Sequence, residues 1–311
     1  MFRKRFFILF LFLIFLTAFF SSFNFFKNET KYETRYSSPT LYPKNHQQSF
    51  SFTLLAVGDI MLGRSVNSKM RRLNNFTYPF EKTWDFLKSA DLTFGNLESP
   101  FFSNCPTTDT GMTFCADPRA IEGLVKSGFD ILNLANNHIL NYGQAGLKQT
   151  QEILKKENIL PLVQNEEQIL EIKKTKIGFL GFNLTGTFNK EQVLKKIKEI
   201  DPKVDILIVS FHWGEEYSQE PSKDQIELAH QAIDFGADLI LGHHPHVIQP
   251  SEKYKEKIIV YSLGNFIFDQ EWSQETKKGL LGVFTFQNKK IIRAEFKEVY
   301  SQTLGQPEIE N

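Results

Sequence analysis

The chain has 311 residues, with 36 Lys and Arg against 36 Asp and Glu and a formal charge of zero, which excludes a nucleic-acid binder that relies on a broadly basic surface. At 41% hydrophobic and 23% charged, with 12 Pro and 18 Gly, it is too apolar to be mostly disordered and is not of low complexity. Its length allows one large domain or two smaller ones, because single cores stop growing near roughly 250–300 residues.

In chain order the first feature is a basic flank, residues 1–5, carrying Arg3, Lys4 and Arg5. Residues 6–26 follow as FFILFLFLIFLTAFFSSFNFF without a charge. Roughly 20 such residues cross hydrocarbon as a helix. The flank predicts a cytoplasmic N-terminus and an outward-facing chain from Lys27, hence a single-pass protein of the cell membrane with its domain on the extracytoplasmic side. The rival reading is a cleaved signal peptide, which needs small residues at the cleavage site. Here Phe19, Phe20 and Phe23 interrupt them, so an uncleaved anchor is expected; either reading exports the chain. Residues 27–48, KNETKYETRYSSPTLYPKNHQQ, are polar, contain two prolines and lack an apolar period, the pattern of an extended tether. The folded domain is expected over 49–311.

Within it, apolar runs of strand length alternate with helical stretches, which predicts an α/β fold. Strands are expected at 52–57, 91–94, 131–135, 177–182, 204–211, 239–241, 258–262 and 281–286, and helices at 145–157, 190–200 and 222–235. The last helix begins with Ser222 as N-cap, has Asp224 in its first turn and meets Gly236 past its end. The basic stretch from Arg64 to Arg72 reads as a solvated helix face. Cys105 and Cys115 are the two cysteines of the chain, and in an oxidising compartment a disulfide closing this short segment is expected.

Five apolar runs end in polar clusters: Gly58-Asp59, Gly95-Asn96-Leu97-Glu98, Asn136-Asn137-His138, His212-Trp213-Gly214-Glu215, and His243-His244-Pro245-His246. Ligands in open α/β sheets sit at the carboxyl ends of strands, and five of the seven histidines fall in the last three clusters. Imidazole with carboxylate suits Zn, Mn or Fe. Asp59 and Glu98 supply oxygens, Asn137 an amide oxygen, and His212, His244 and His246 nitrogens, for one or two ions. Glu98 is placed to bridge a pair. Two such ions clamp a phosphoryl group, which predicts a phosphoesterase centre with His138 as the group that protonates a leaving oxygen. Arg64, whose fork suits phosphate or carboxylate, is expected at the substrate together with Glu215 and His243. Of Glu215 and Glu216, one is expected only to tie a loop.

The segments GDIMLGR from Gly58, GNLESP from Gly95, NLANNHILNYG from Asn133, SFHWGEEY from Ser210, GADLILGHHPHVIQ from Gly236 and YSLGNFIF from Tyr261 together resemble the CapA family of capsule and poly-gamma-glutamate synthesis proteins, within the calcineurin-like metallophosphoesterase superfamily. The resemblance runs from about Thr53 to Asp269. It implies a four-layer α/β/β/α metallophosphoesterase-like sandwich, here preceded by the transmembrane helix. It also implies ligands from an Asp-x-His, a Gly-Asp, a Gly-Asn-His, a lone His and a Gly-His-x-His. Two positions depart from that pattern: Met61 stands at the first His and Asn96 at the second Asp, which leaves Glu98 as a shifted substitute. In the last motif either His243 or His244 pairs with His246.

Two functions follow as expectations. One is an exported, membrane-anchored metal-dependent phosphoesterase of capsule or poly-gamma-glutamate synthesis, acting on an anionic polymer or phosphoester and meeting subunits of the synthesis or export machinery. The other is a non-catalytic surface subunit that keeps the fold and binds polymer, a reading favoured by Met61 and Asn96.

Overall fold

The computed structural model describes residues 51–310; the expected basic flank, anchor and tether lie outside the described residues. Among the described residues no helix is long and apolar enough to cross a membrane.

The strands in chain order are β1 (Ser51–Ile60), β2 (Leu92–Leu97), β3 (Ile131–Asn133), β4 (Leu160–Leu162), β5 (Glu167–Ile172), β6 (Thr175–Asn183), β7 (Ile206–His212), β8 (Leu239–His243), β9 (Ile248–Tyr254), β10 (Lys257–Leu263), β11 (Asn265–Ile267), β12 (Lys278–Gln287), β13 (Lys290–Thr303) and β14 (Gln306–Ile309). The helices are α1 (Arg64–Leu73), α2 (Trp84–Leu87), α3 (Ile121–Lys126), α4 (Gly143–Lys156), α5 (Lys190–Ile200) and α6 (Lys223–Asp234). All eight expected strands and all three expected helices are present. The sequence reading missed β4, β5, β9, β11, β13 and β14, which are short, or polar along one face.

One sheet runs β14-β13-β12-β1-β2-β3-β4, with β11 beside the end of β1; the other runs β5-β6-β7-β8-β10-β9. The inner strands β1, β2, β3 and β4 pair parallel, as do β6, β7, β8 and β10. Their carboxyl ends therefore share an edge within each sheet. β2 and β7 are buried along their whole length, because both faces of a central parallel strand are covered.

The period of two in β1 divides its side chains between two cores. Leu54 and Ala56 face the second sheet with Phe94 and Ile131, meeting Phe179, Ile208 and Leu241. The rings of Phe94 and Phe179 stack at 5.9 Å across the interface. Leu55 and Val57 point the other way, onto Val66 and Met70 of α1, Leu124 of α3 and Leu154 of α4. The outer face of the second sheet, Leu207, Val209 and Ile240, packs on Leu194 and Ile197 of α5 and on Leu228 and Ala229 of α6. The result is helix, sheet, sheet, helix. α6 starts as its sequence predicts: Ser222 Oγ accepts from the Gln225 backbone N–H (3.2 Å) while the Gln225 side chain accepts from the Ser222 N–H (3.0 Å), a capping box.

The expected disulfide joins Cys105 to Cys115, with Cα atoms 5.7 Å apart. The basic stretch needs correction. Its residues form α1, but Arg71 pairs with Asp117 at 2.9 Å, Arg64 pairs with Asp269, and Lys69 lies over the Tyr78 ring. Of these four cations only Arg72 is an exposed charge of the expected kind. The others are drawn in by partners on the segments packed beside the helix, Asp269, Asp117 and Tyr78.

Candidate metal centre

The last residues of β1 bring Asp59 into position through a break in pairing. The register between β1 and β2 shifts between Ala56 and Asp59, the kind of irregularity that re-aims a side chain. Gly58 permits it: a Cβ there would stand 2.0 Å from the Gly264 carbonyl oxygen. Asp59 is fully buried. Its Oδ1 accepts from Asn96 Nδ2 at 2.8 Å and lies 3.2 Å from His243 Nδ1. Its Oδ2 accepts from the His244 backbone N–H at 3.2 Å and lies 3.1 Å from His246 Nδ1. Burial alone would push this carboxyl up, but the bonds and charge of His243 and His246 prevail and hold it well below the usual carboxylate range.

Glu98, just past β2, is also fully buried, yet neither of its carboxylate oxygens has a hydrogen-bond partner. Its Oε1 lies 3.7 Å from Nε2 of His212, 3.7 Å from Nε2 of His246 and 3.9 Å from Nε2 of His138. Burial, then the charges of Asp59 and Glu216, push Glu98 well above the ordinary carboxylate range. Two acids side by side thus have their proton affinities driven apart.

His212 and His244 are in the form that binds cations. Burial holds His212 well below its ordinary value, and burial with the neighbouring His246 takes His244 to about 4. Both are neutral at physiological pH and carry a free lone pair. His212 Nε2 stands 2.9 Å from Asn137 Oδ1. His246 Nδ1 stands 3.1 Å from Asn265 Oδ1, which orients the ring so that Nε2 faces Glu98. His244 and His246 have φ of 96° and 59°, left-handed values that cost non-glycine residues about 1–3 kcal/mol and gather at functional sites.

Three overlapping groups have ligand atoms within 4.8 Å of one another: Glu98, His212 and His244; Asp59, Glu98 and His246; and Glu216, His244 and His246. The donor set of imidazole nitrogen and carboxylate oxygen matches a borderline divalent ion. A buried carboxylate with no donor costs several kcal/mol if ionised and unpaired; a cation beside Glu98 removes that cost, so these residues fit a metal.

Asp59, Glu98, Asn137, His138, His212, His244 and His246 thus lie together in one cluster. Between the two histidines left open in the last motif, His244 belongs to two of the three groups and His243 to none. His243, expected at the substrate, is 0% exposed and lies against Phe94 between the sheets. It can orient Asp59 but cannot meet a solvent-borne molecule, because in β8 it points to the same face as Leu241. Glu215 is likewise displaced: it is exposed, and the half-buried Glu216 joins the cluster instead. The intervening turn is left-handed at Gly214 and Tyr217, φ 87° and 66°, and alternation along a strand does not predict which carboxylate such a turn aims inward.

Arg64 sits beside the cluster, its guanidinium 4.4 Å over the Phe114 ring and paired with Asp269. Phe114 also stacks on His138 with centroids 3.9 Å apart. His138 Nδ1 lies 3.0 Å from Asn141 Oδ1, and burial lowers the proton affinity of the ring. Met61 is no ligand: its sulfur accepts from the Gly63 N–H at 3.0 Å, and its side chain packs with Phe114 and Phe268. The sequence reading missed the roles of Asn96, Asn141 and Asn265. Strand-end asparagine was the available signal, but a carboxamide announces no chemistry without its partners.

Residues 53–270 match the family model described as "Bacterial capsule synthesis protein PGA_cap". The chain is 35% identical over 269 residues to "Capsule biosynthesis protein CapA" of Bacillus anthracis, covering 77% of this chain, and 33% identical over 250 residues to "PGA biosynthesis protein CapA" of Bacillus subtilis (strain 168), covering 72%. Each match spans 65% of the relative's own length. Among solved structures, a novel phosphatase of Mycoplasma pneumoniae superposes with a TM-score of 0.54 at 15% identity, over 81% of this chain and 94% of that one. A putative 5'-nucleotidase of Staphylococcus aureus gives 0.51 at 15% identity, over 84% and 54%. At such identity the likeness concerns the fold, an α/β fold of metallophosphoesterase type.

Proposed function

Since the chain belongs to the bacterial capsule synthesis protein (PGA_cap) family, we propose that it is an exported, membrane-anchored component of capsule or poly-gamma-glutamate synthesis whose strand-end cluster is a metal-dependent phosphoesterase-type site. One observation carries the chemical half of the proposal: Glu98, buried and without a donor, faces three imidazole nitrogens within 3.9 Å. Glu98, His212 and His244, with Asn137, would hold one divalent ion, and Asp59, Glu98 and His246 a second. Mn, Zn and Fe all suit these donors. A bound divalent ion supplies Lewis-acid polarisation of a phosphoryl oxygen and lowers the proton affinity of water. The residues of the chain do the rest. Asn265 and Asn96 fix the orientation of His246 and Asp59, and His138, held by Asn141 and Phe114, accepts or donates a proton at Nε2. Arg64 adds positive charge beside the cluster.

The anchor rests on the charge-free run of residues 6–26 behind its basic flank. Subunits of the polymer synthesis or export machinery are the partners this role implies, and an anionic polymer or a phosphoester is the substrate class. A second reading, a non-catalytic subunit that binds polymer, is favoured by Met61, whose sulfur is turned to Gly63, and by Asn96, which hydrogen-bonds Asp59 where a carboxylate would ligate.

The full chain, extracted from membranes without chelator, tests these points together. The expected result is at least one transition ion per chain, an intact N-terminus in the membrane fraction, and hydrolysis in a screen of phosphomonoesters and phosphodiesters. His244→Ala should lose metal, whereas His138→Ala should keep metal and lose hydrolysis. Metal without turnover on any phosphoester favours the second reading, and a mature N-terminus near Ser22 rejects the anchor.

A further inference from the structure

The segment that follows β7 carries a carboxylate that neither sheet supplies. Glu216 stands with His244 and His246, its ligand atom within 4.8 Å of theirs. Those two histidines also belong to the two groups that share Glu98, one each. Glu98 and Glu216 therefore address the same pair of imidazoles from different depths: Glu98 is fully buried, and Glu216 is half-buried toward solvent.

The turn is held in place by its surroundings. The Tyr217 N–H donates to the Pro245 carbonyl at 2.8 Å and the Trp213 N–H to that of His243 at 3.0 Å, strapping both ends of the turn to the histidine loop. From the other side Gln270 Nε2 donates to Tyr217 Oη at 3.3 Å, Asn265 Nδ2 donates to Gln270 Oε1 at 3.1 Å, and Asn265 Oδ1 faces His246 Nδ1 at 3.1 Å. A continuous chain of contacts thus links His246 to the residue next to Glu216. Left-handed backbone at Gly214, Tyr217, His244 and His246 is maintained on both sides of this contact. Strain retained in two facing loops is characteristic of a site held for a ligand.

We infer that Glu216 is a metal ligand of this centre, the solvent-side carboxylate opposite Glu98, and closes the ion position on the side from which substrate arrives. The inference rests on the metal reading above. It makes the turn after β7 part of the site rather than a surface connection, and it leaves Glu215 outside.

The test uses the full chain in detergent with Mn(II) alone as probe, counting free ion by electron paramagnetic resonance and bound metal by elemental mass spectrometry. Partners outside the first coordination shell are worth about 10–100-fold in metal affinity, so Glu216→Gln should weaken binding by about tenfold or more. Glu216→Asp, which keeps the charge but shortens the reach, should fall between it and wild type, and Glu215→Gln should bind as wild type does. Unchanged metal-free unfolding midpoints establish that the variants fold. Wild type that binds Mn(II) with Glu216→Gln matching it within about twofold overturns this inference alone. Wild type that binds no ion overturns the metal reading and this inference with it.

Discussion

Glu98 is the residue on which the site turns. An ionised carboxylate in a protein interior is tolerated when it is paired or hydrogen-bonded, and Glu98 accepts no hydrogen bond within the protein, its nearest neighbours being imidazole nitrogens 3.7–3.9 Å away. The residues around it are arranged with the opposite care: Asn96 donates to Asp59, and Asn136 and Asn133 both donate to Asn96 Oδ1 at 3.2 Å and 2.9 Å. Every carboxamide here fixes a neighbour. Asn265 shows the consequence most directly, because it faces His246 Nδ1 while its own amide is held by Gln270 and the Thr276 carbonyl. Asn265→Ala should lower metal affinity by about 10–100-fold, the usual effect of losing the partner that orients a ligand imidazole. Calorimetric titration with Mn(II) checks this, and unchanged affinity would mean His246 needs no orienting group. At this scale residue type singled out Asp59, Glu98, His212, His244 and His246, and the fold brings their side chains together. Asn96 and Asn265 were not singled out, because a carboxamide acquires a role only from the atoms it meets.

Among the elements, α1 and the short turn after the disulfide show how a charged stretch becomes structural. Asp117 caps that turn by accepting from the Arg119 N–H at 3.1 Å and pairs with both Arg119 and Arg71, joining α1 to the segment closed by Cys105 and Cys115. The hydrogen bond from Arg119 is the main cause that holds its carboxyl down to about 2 from an ordinary 3.8, against partial burial and with help from Arg71. The folded protein therefore binds this proton less readily than the unfolded chain does. The stabilisation is complete above the unfolded value and is lost as pH falls from about 4 toward 2. Asp117→Asn should cost about 1–2 kcal/mol at pH 7, allowing for the exposure of Arg119, and should remove that part of the acid sensitivity. Urea midpoints at pH 7 and pH 3 check it: the gap between wild type and variant should narrow at pH 3, and a constant gap would reject the linkage. The N-cap of α6 at Ser222 and the bounds of α5 were visible in sequence because they are local. β11 and β4, three residues each, were not, because strands so short exist only through their partners.

At the scale of the whole domain, the site lies across the seam between the sheets. Asp59, Glu98 and Asn137 lie at or just past the ends of strands of one sheet; His212, His244 and His246 lie at or just past the ends of strands of the other. Beneath them the seam is apolar, with Phe94 stacked on Phe179. An ion bound here joins the two sheets and binds the folded state alone, so it should stabilise that state by about 2.7 kcal/mol at a hundredfold excess over its dissociation constant. Thermal unfolding with Mn(II) and then with a chelator checks this. The midpoint should fall on chelation in wild type and move much less in His244→Ala; equal shifts in both would place the stabilising ion elsewhere.

The sequence by itself determined the α/β class, through local periodicity, and the pairing of the two cysteines, through their short spacing; it also marked the strand ends where Asp, Glu and His gather, and its motifs carried the resemblance to the family. Only the tertiary structure decided between His243 and His244 and brought Glu216 rather than Glu215 to the cluster; it also turned Met61 away and left Glu98 without a donor. Those outcomes depend on which face of a strand meets the other sheet and on the handedness of two facing turns, and both are set by contacts between segments far apart in the chain.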